Sequence, residues 1–132
     1  MGSFATLEKA QEHFKNDRFA TDAGMRIDAI AEDSAQCSVT LNDCHRNAYG
    51  GVMGGAIFTL ADFAFAVCAN NIHALTVAQQ ISINYLSAPK GKRLIAKAKC
   101  LKSGKTSIVI TVEVSDDTGR DIALFTGTGF KL

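Results

Sequence analysis

A chain of 132 residues has the length of one ordinary domain and can bury about two-thirds of the surface its unfolded form would expose. With 47% hydrophobic and 20% charged residues and a single proline it is too apolar to stay disordered, and a net charge of +1 supplies no general field for a polyanion. Trp is absent and Tyr occurs twice, so the aromatic platforms of a nucleic-acid binder are missing as well.

The four cysteines, Cys37, Cys44, Cys68 and Cys100, form no Cys-x-x-Cys pair and have neither zinc-ligand nor disulfide-scaffold spacing. A reducing, cytoplasmic setting without a metal is expected. Glu8, Lys9, Glu12 and Lys15 break any continuous apolar leader near the start, so export is not expected.

In chain order, Leu7, Ala10 and Phe14 recur at helical spacing among charged residues, which predicts a short amphipathic helix over about 4–15, serving as a lid or packing element. Met25–Ile30 and Ala35–Leu41 read as a hairpin joined by Ala31-Glu32-Asp33-Ser34. The stretch 42–55 is rich in Asn and Gly, a composition suited to tight backbone placement. Ala56–Ala69 is apolar nearly all round, the pattern of a helix wrapped by other elements. A bilayer span is the competing reading, but Asp62 at its centre would cost roughly 3 kcal/mol and the apolar run falls short of about 20 residues.

Four β-rich segments follow: Leu75–Leu86, Leu94–Leu101, Thr106–Val114 and Ile122–Phe130. Pro89-Lys90-Gly91, Ser103-Gly104-Lys105 and Asp116-Asp117-Thr118-Gly119 punctuate them as hairpin signals, which predicts a four-strand antiparallel meander. Alternation in Ile108, Ile110, Val112 and Val114 gives the sheet one apolar face, and the apolar helix needs a cover. The economical answer is an α+β domain with core at about 25–130, in which an antiparallel sheet of two plus four strands curls around a long central helix.

Asp62 carries the most information, because a carboxylate on a helix without a polar face is costly unless paired, neutralised or used. It reads either as a buried Asp held by hydrogen bonds or as a general base or nucleophile tuned by burial. Gly54 and Gly55 open the same helix, where free N–H groups and the positive helix end suit an oxyanion; the plainer alternative is that they only permit the turn. Gly54 and Asp62 are eight residues apart, about 12 Å along one axis, too far to act on one carbonyl carbon. Joint action therefore requires Asp62 of one subunit to face Gly54 of another, which predicts a symmetric homodimer.

The segment from Asn47 through Tyr49-Gly50-Gly51-Val52-Met53-Gly54-Gly55 to Leu60-Ala61-Asp62-Phe63 resembles the signature of the PaaI-like, phenylacetate-degradation type hot-dog thioesterases. The resemblance extends from about Met25 to Phe130, with the Ile83-Asn84-Tyr85-Leu86 strand and the Lys102-Ser103-Gly104-Lys105-Thr106 turn. It implies a hot-dog fold, dimers paired into homotetramers, and hydrolysis of an acyl-CoA substrate to acid and free CoA without a cofactor. On that pattern Asp62 matches the catalytic carboxylate, Gly54 the oxyanion donor, and Asn47 a residue that positions water or the acid. Tyr49 and Met53 stand where relatives often carry histidines, so on this pattern both border the substrate and polarisation of the carbonyl rests more on the Gly54 N–H, with Tyr49 as a contributor.

Met53, Phe58, Phe63 and Phe65 suggest an apolar acyl pocket, and Gly55 beside them is a further candidate for contact with the substrate. Seven of the 14 basic residues fall between Lys90 and Lys105, and of these Lys102 and Lys105, on the family-like turn, are candidates for the nucleotide phosphates of CoA. The Gly-rich loop lacks the Gly-Lys-Ser/Thr ending of a P-loop, which argues against nucleotide hydrolysis. Two rivals keep the fold: a non-catalytic acyl-CoA binding or regulatory module, and a hydratase or dehydratase for which His45 is the one nearby histidine.

Overall fold

Period-two alternation shapes the sheet: in the computed structural model, which describes residues 2–132, Ile108, Ile110, Val112 and Val114 are all buried while Glu113 between them is exposed. The elements in chain order are α1 (Leu7–Phe14), α2 (Arg18–Asp22), β1 (Arg26–Ala31), β2 (Ser34–Thr40), α3 (Gly54–Ile72), β3 (Thr76–Tyr85), β4 (Arg93–Ser103), β5 (Ser107–Asp116) and β6 (Asp121–Lys131). The strands form one six-stranded sheet in the order β1-β2-β4-β5-β6-β3, antiparallel throughout, and α3 packs on its inner face. This is the hot-dog arrangement.

The last four strands are not a meander. β3 pairs with β6, from Thr76 against Lys131 to Tyr85 against Ala123, and β4 lies beside β2. The cause is α3, which delivers the chain to the edge beyond β6 through a short turn where Leu75 takes a left-handed φ of 61°. From Tyr85 the chain must cross the ends of β6 and β5 to reach β4, so Pro89-Lys90-Gly91 belongs to a crossover strap instead of a hairpin. Leu86 N–H and Ser87 N–H donate to the Ile122 carbonyl, and Lys90 N–H and Gly91 N–H donate to Asp116 Oδ2 at 2.8 and 2.9 Å. The other Asp116 oxygen takes Thr118 N–H, Thr118 Oγ1 and Arg120 N–H. These donors, led by the Thr118 hydroxyl, hold the buried carboxyl well below the usual carboxylate range. The other two turns are hairpins, and Gly119 supplies the φ of 88° in the second.

α3 nests closely because β6 has no side chain beneath it at Gly127, where a Cβ would come within 2.6 Å of the Phe65 ring. Phe4, Phe14 and Phe63 stack edge to face and fasten α1 to α3. The helix is not wrapped all round, however. Ile57, Leu60, Ala61, Ala64, Phe65 and Cys68 are buried, whereas Gly55, Thr59, Asp62, Ala66 and Asn70, at helical spacing, form a partly open stripe. By length and composition α3 could cross a bilayer, but its apolar face is taken up by the sheet.

Candidate active site

The loop before α3 is built to present a bare helix end. Asn47 Oδ1 accepts from Tyr49 N–H at 2.9 Å and Gly51 N–H at 3.1 Å, Arg46 and Val52 bridge, and Met53 N–H donates to the His45 carbonyl at 2.8 Å. Met53 occupies the N-cap but offers no capping side chain, and among the described residues neither Gly54 N–H nor Gly55 N–H finds an acceptor. Two donors at the positive end of a 19-residue helix are thus left free. Tyr85, at the end of β3, lies against this point: its hydroxyl donates to the Gly54 carbonyl at 3.1 Å, and a Cβ at Gly54 would sit 3.3 Å from its ring.

A cavity of about 430 Å³ opens beside the helix end, with Phe19, Met53 and Tyr85 at its exposed mouth and Met25, His45 and Phe58 deeper in its wall. Gly55 and Thr59 line it as well. The buried His45 is locked: Nδ1 accepts from Asn42 N–H at 3.0 Å, so Nε2 carries the proton and donates to the Ala23 carbonyl at 2.7 Å. With both nitrogens occupied it is not free to serve as the acid or base that a hydratase would need.

Asp62 lines a second cavity of about 240 Å³ together with Asp17, Arg18, Phe19, Thr59 and Ala66. Among the described residues its carboxylate takes no hydrogen bond, so it is not the buried Asp held by neighbours. Burial first, and the Asp17 charge second, push its pKa above the usual carboxylate range. Asp17 is raised too, by burial, against the opposing charge of His13. The two cavities share Phe19 and Thr59, so the open stripe of α3 runs from the free N–H groups past Thr59 to Asp62.

Within one chain the other candidates are dispersed. Met53, Gly55 and Phe58 line the larger cavity, Phe63 the smaller, and Phe65 packs into the sheet instead. Asn47 and Tyr49 line neither cavity; the Asn47 oxygen holds the loop and Tyr49 is 99% exposed. Lys102 and Lys105 are exposed at the β4–β5 end of the sheet, opposite to the end where Tyr85 meets Gly54. Asp17, Phe19 and Tyr85 were not among the site residues read from the sequence. Tyr85 could have been found from its place at the end of an alternating strand after the Gly-rich loop, whereas nothing local marks Asp17 or Phe19, since α2 is too short to show a period.

Residues 49–123 match the family model of the thioesterase superfamily. A provisionally named esterase of Archaeoglobus fulgidus is 32% identical over 128 residues, 96% of this chain and 83% of that protein. The acyl-coenzyme A thioesterase PaaI of Escherichia coli is 29% identical over 131 residues, 98% of this chain and 94% of that protein. The solved Escherichia coli PaaI structure superposes with a TM-score of 0.89 at 27% identity, covering 98% of this chain and 96% of that one. A hypothetical thioesterase of Streptococcus pneumoniae, solved with coenzyme A, superposes with a TM-score of 0.81 at 29% identity, covering 89% of this chain and 94% of that one.

Proposed function

The chain belongs to the thioesterase superfamily as a PaaI-like hot-dog thioester hydrolase, and from that membership we propose that it cleaves acyl-CoA thioesters across a homodimer interface. The observation that carries the reading is the pair of unpaired N–H groups at Gly54 and Gly55 on the same open helix stripe as Asp62. The thioester carbonyl accepts the Gly54 N–H, which stabilises the oxyanion as the tetrahedral intermediate forms. Asp62 of the partner subunit supplies the carboxylate: it either takes a proton from the attacking water, and collapse of the tetrahedral intermediate breaks the C–S bond and releases CoA thiolate, which takes that proton, or it attacks the carbonyl carbon itself, expelling CoA and leaving a mixed anhydride that water hydrolyses. Its raised pKa makes it a stronger base than an exposed Asp. Among the described residues the Asn47 Nδ2 donor has no acceptor, which leaves it to hold the water while the oxygen holds the loop.

The dimer is supported by β3, a ten-residue edge strand that among the described residues pairs only with β6 and carries the exposed apolar residues Val77 and Tyr85. Antiparallel pairing of two such edges brings the sheet end with Lys102 and Lys105 beside the partner's Gly54 end, where the nucleotide phosphates of CoA would lie. Tyr49 and Met53 then border the entrance. No cofactor is required, since CoA enters as part of the substrate, and dimers pair further into tetramers as in the family the sequence resembles. The four free thiols fit a reducing cytoplasm.

The test is free-thiol release from a panel of aryl- and alkanoyl-CoA esters by the native chain and by Asp62→Asn. Turnover that collapses in the folded variant supports the reading, and near-native hydrolysis by Asp62→Asn removes Asp62 from the chemistry.

A further inference from the structure

From the cavity beside the helix end we infer that this chain selects acyl groups that are apolar along their whole length, alkyl or aryl, and discriminates against those bearing a carboxylate or hydroxyl. The inference rests on the thioesterase reading above and names the substrate class of the same site.

The side chains that wall the 430 Å³ cavity have almost no hydrogen-bond donor left to offer. His45 gives its one N–H to the Ala23 carbonyl, Thr59 Oγ1 donates to the Gly55 carbonyl at 2.7 Å, and the Tyr85 hydroxyl donates to the Gly54 carbonyl at 3.1 Å. Cys44 remains, an exposed thiol and a weak donor. Among the described residues no Lys or Arg lines the cavity. Arg18, on the neighbouring α2, lines the smaller cavity and is already paired with Asp22 through two contacts of 3.1 Å. The rest of the wall is Phe19, Ala23, Met25, Met53, Ala56 and Phe58 beside Gly55.

The two free N–H groups at Gly54 and Gly55 sit at the helix end, where they hold the thioester oxygen. An acyl chain leaving that point runs into a region that solvates methylenes and rings but not charge. A carboxylate buried there loses its water and gains no donor, a cost beyond that of an unpaired neutral group. A hydroxyl fares better, since the oxygens of Thr59 and Tyr85 can still accept, and apolar pockets reject an added hydroxyl by no more than about 100-fold. The expected order is therefore plain acyl first, hydroxylated acyl next, carboxylated acyl last.

The experiment compares kcat/KM for hexanoyl-, 6-hydroxyhexanoyl- and adipoyl-CoA, three chains of equal length, with phenylacetyl- and 4-hydroxyphenylacetyl-CoA as the aryl pair. Each hydroxyl is expected to lower kcat/KM roughly tenfold, and the terminal carboxylate by on the order of 100-fold or more. Phe19→Arg, a change at a mouth residue that is 83% exposed, places a cation at the cavity and should raise the adipoyl-to-hexanoyl ratio at least about tenfold. Equal rates for the three hexanoyl-type esters, or a ratio unmoved by Phe19→Arg, would overturn the inference while leaving a thioesterase. If no ester releases thiol, the thioesterase reading fails instead, and the Kd values of the matching non-hydrolysable thioethers decide selectivity on their own: the same order upholds it and equal affinities overturn it.

Discussion

Asp17, at the N-terminus of α2, and Asp62, in the middle of α3, line one small cavity, and the charge of Asp17 adds to burial in raising the pKa of Asp62. A base or nucleophile must be ionised to act, so kcat/KM should fall on the acid side at a higher pH than an ordinary carboxylate would give. Removing the neighbouring charge reverses part of the shift: Asp17→Asn is expected to move the acid limb to lower pH. Asp17 makes no side-chain cap hydrogen bond to α2, so the substitution costs the fold little. An unmoved limb in a pH–rate profile would uncouple the two residues.

Gly54→Pro removes the N–H at the helix end, and its Cβ meets the Tyr85 ring at 3.3 Å as an alanine's would, so Gly54→Ala is its control. Proline suits the first position of a helix, and Met53 before it, at φ −64° and ψ 133°, already has the extended conformation that proline demands. A loss of about 100- to 1000-fold in kcat is expected in the folded protein if this donor stabilises the oxyanion. Gly54→Ala keeps the donor and should lose far less, although its Cβ presses on the Tyr85 ring.

Mixing those two defects tests the shared site. Gly54→Pro and Asp62→Asn are each expected to be inactive alone, while a heterodimer of the two rebuilds one intact site from the native halves. Random exchange of subunits should recover about a quarter of native activity. No recovery after verified subunit exchange would place both groups on one chain and contradict the interfacial arrangement.

The contact between Phe65 and Gly127 predicts a packing defect. Gly127→Ala puts a methyl 2.6 Å from the Phe65 ring and 2.9 Å from Ile81, both held in the core contact between α3 and the sheet. Overpacking of this kind should cost about 1–3 kcal/mol in urea unfolding. Adding Phe65→Leu should return part of it.

Asp116 fastens the strap that carries the chain from β3 to β4. Its carboxyl is depressed in the folded state, so its contribution is present above the unfolded value of about 3.9 and is lost as pH falls below it. Asp116→Ala should lower Tm by roughly 5–10 °C at neutral pH and flatten the acid side of the Tm profile. An unchanged profile would mean that the strap is held by its other contacts, those of Leu86 and Ser87 to Ile122 and Asp121 and of Lys92 and Arg93 to the Asp117 carboxylate.

Much of this molecule is legible in the sequence because burial on one face is written in local periodicity. Ile108 through Val114 announce a half-buried strand, the apolar run after Gly55 announces a core helix, and the lone Asp62 within it announces a cost that calls for a use. The eight-residue spacing of Gly54 and Asp62 even carries the expectation of a second subunit. Strand order is another matter. Alternation says that Ile81 and Ile83 of β3 turn inward but not which strand lies beside it, and only the path of α3 to the far edge, with Asp116 holding the return strap, sets β3 against β6. The walls of both cavities were likewise decided by tertiary contact. Phe19, Phe58 and Tyr85 are far apart along the chain, and Asp17 acts on Asp62 through space, so no local pattern could register them. Local free energies choose helix, strand and buried face; only the closed fold brings distant side chains close enough to shape a cavity or shift a charge.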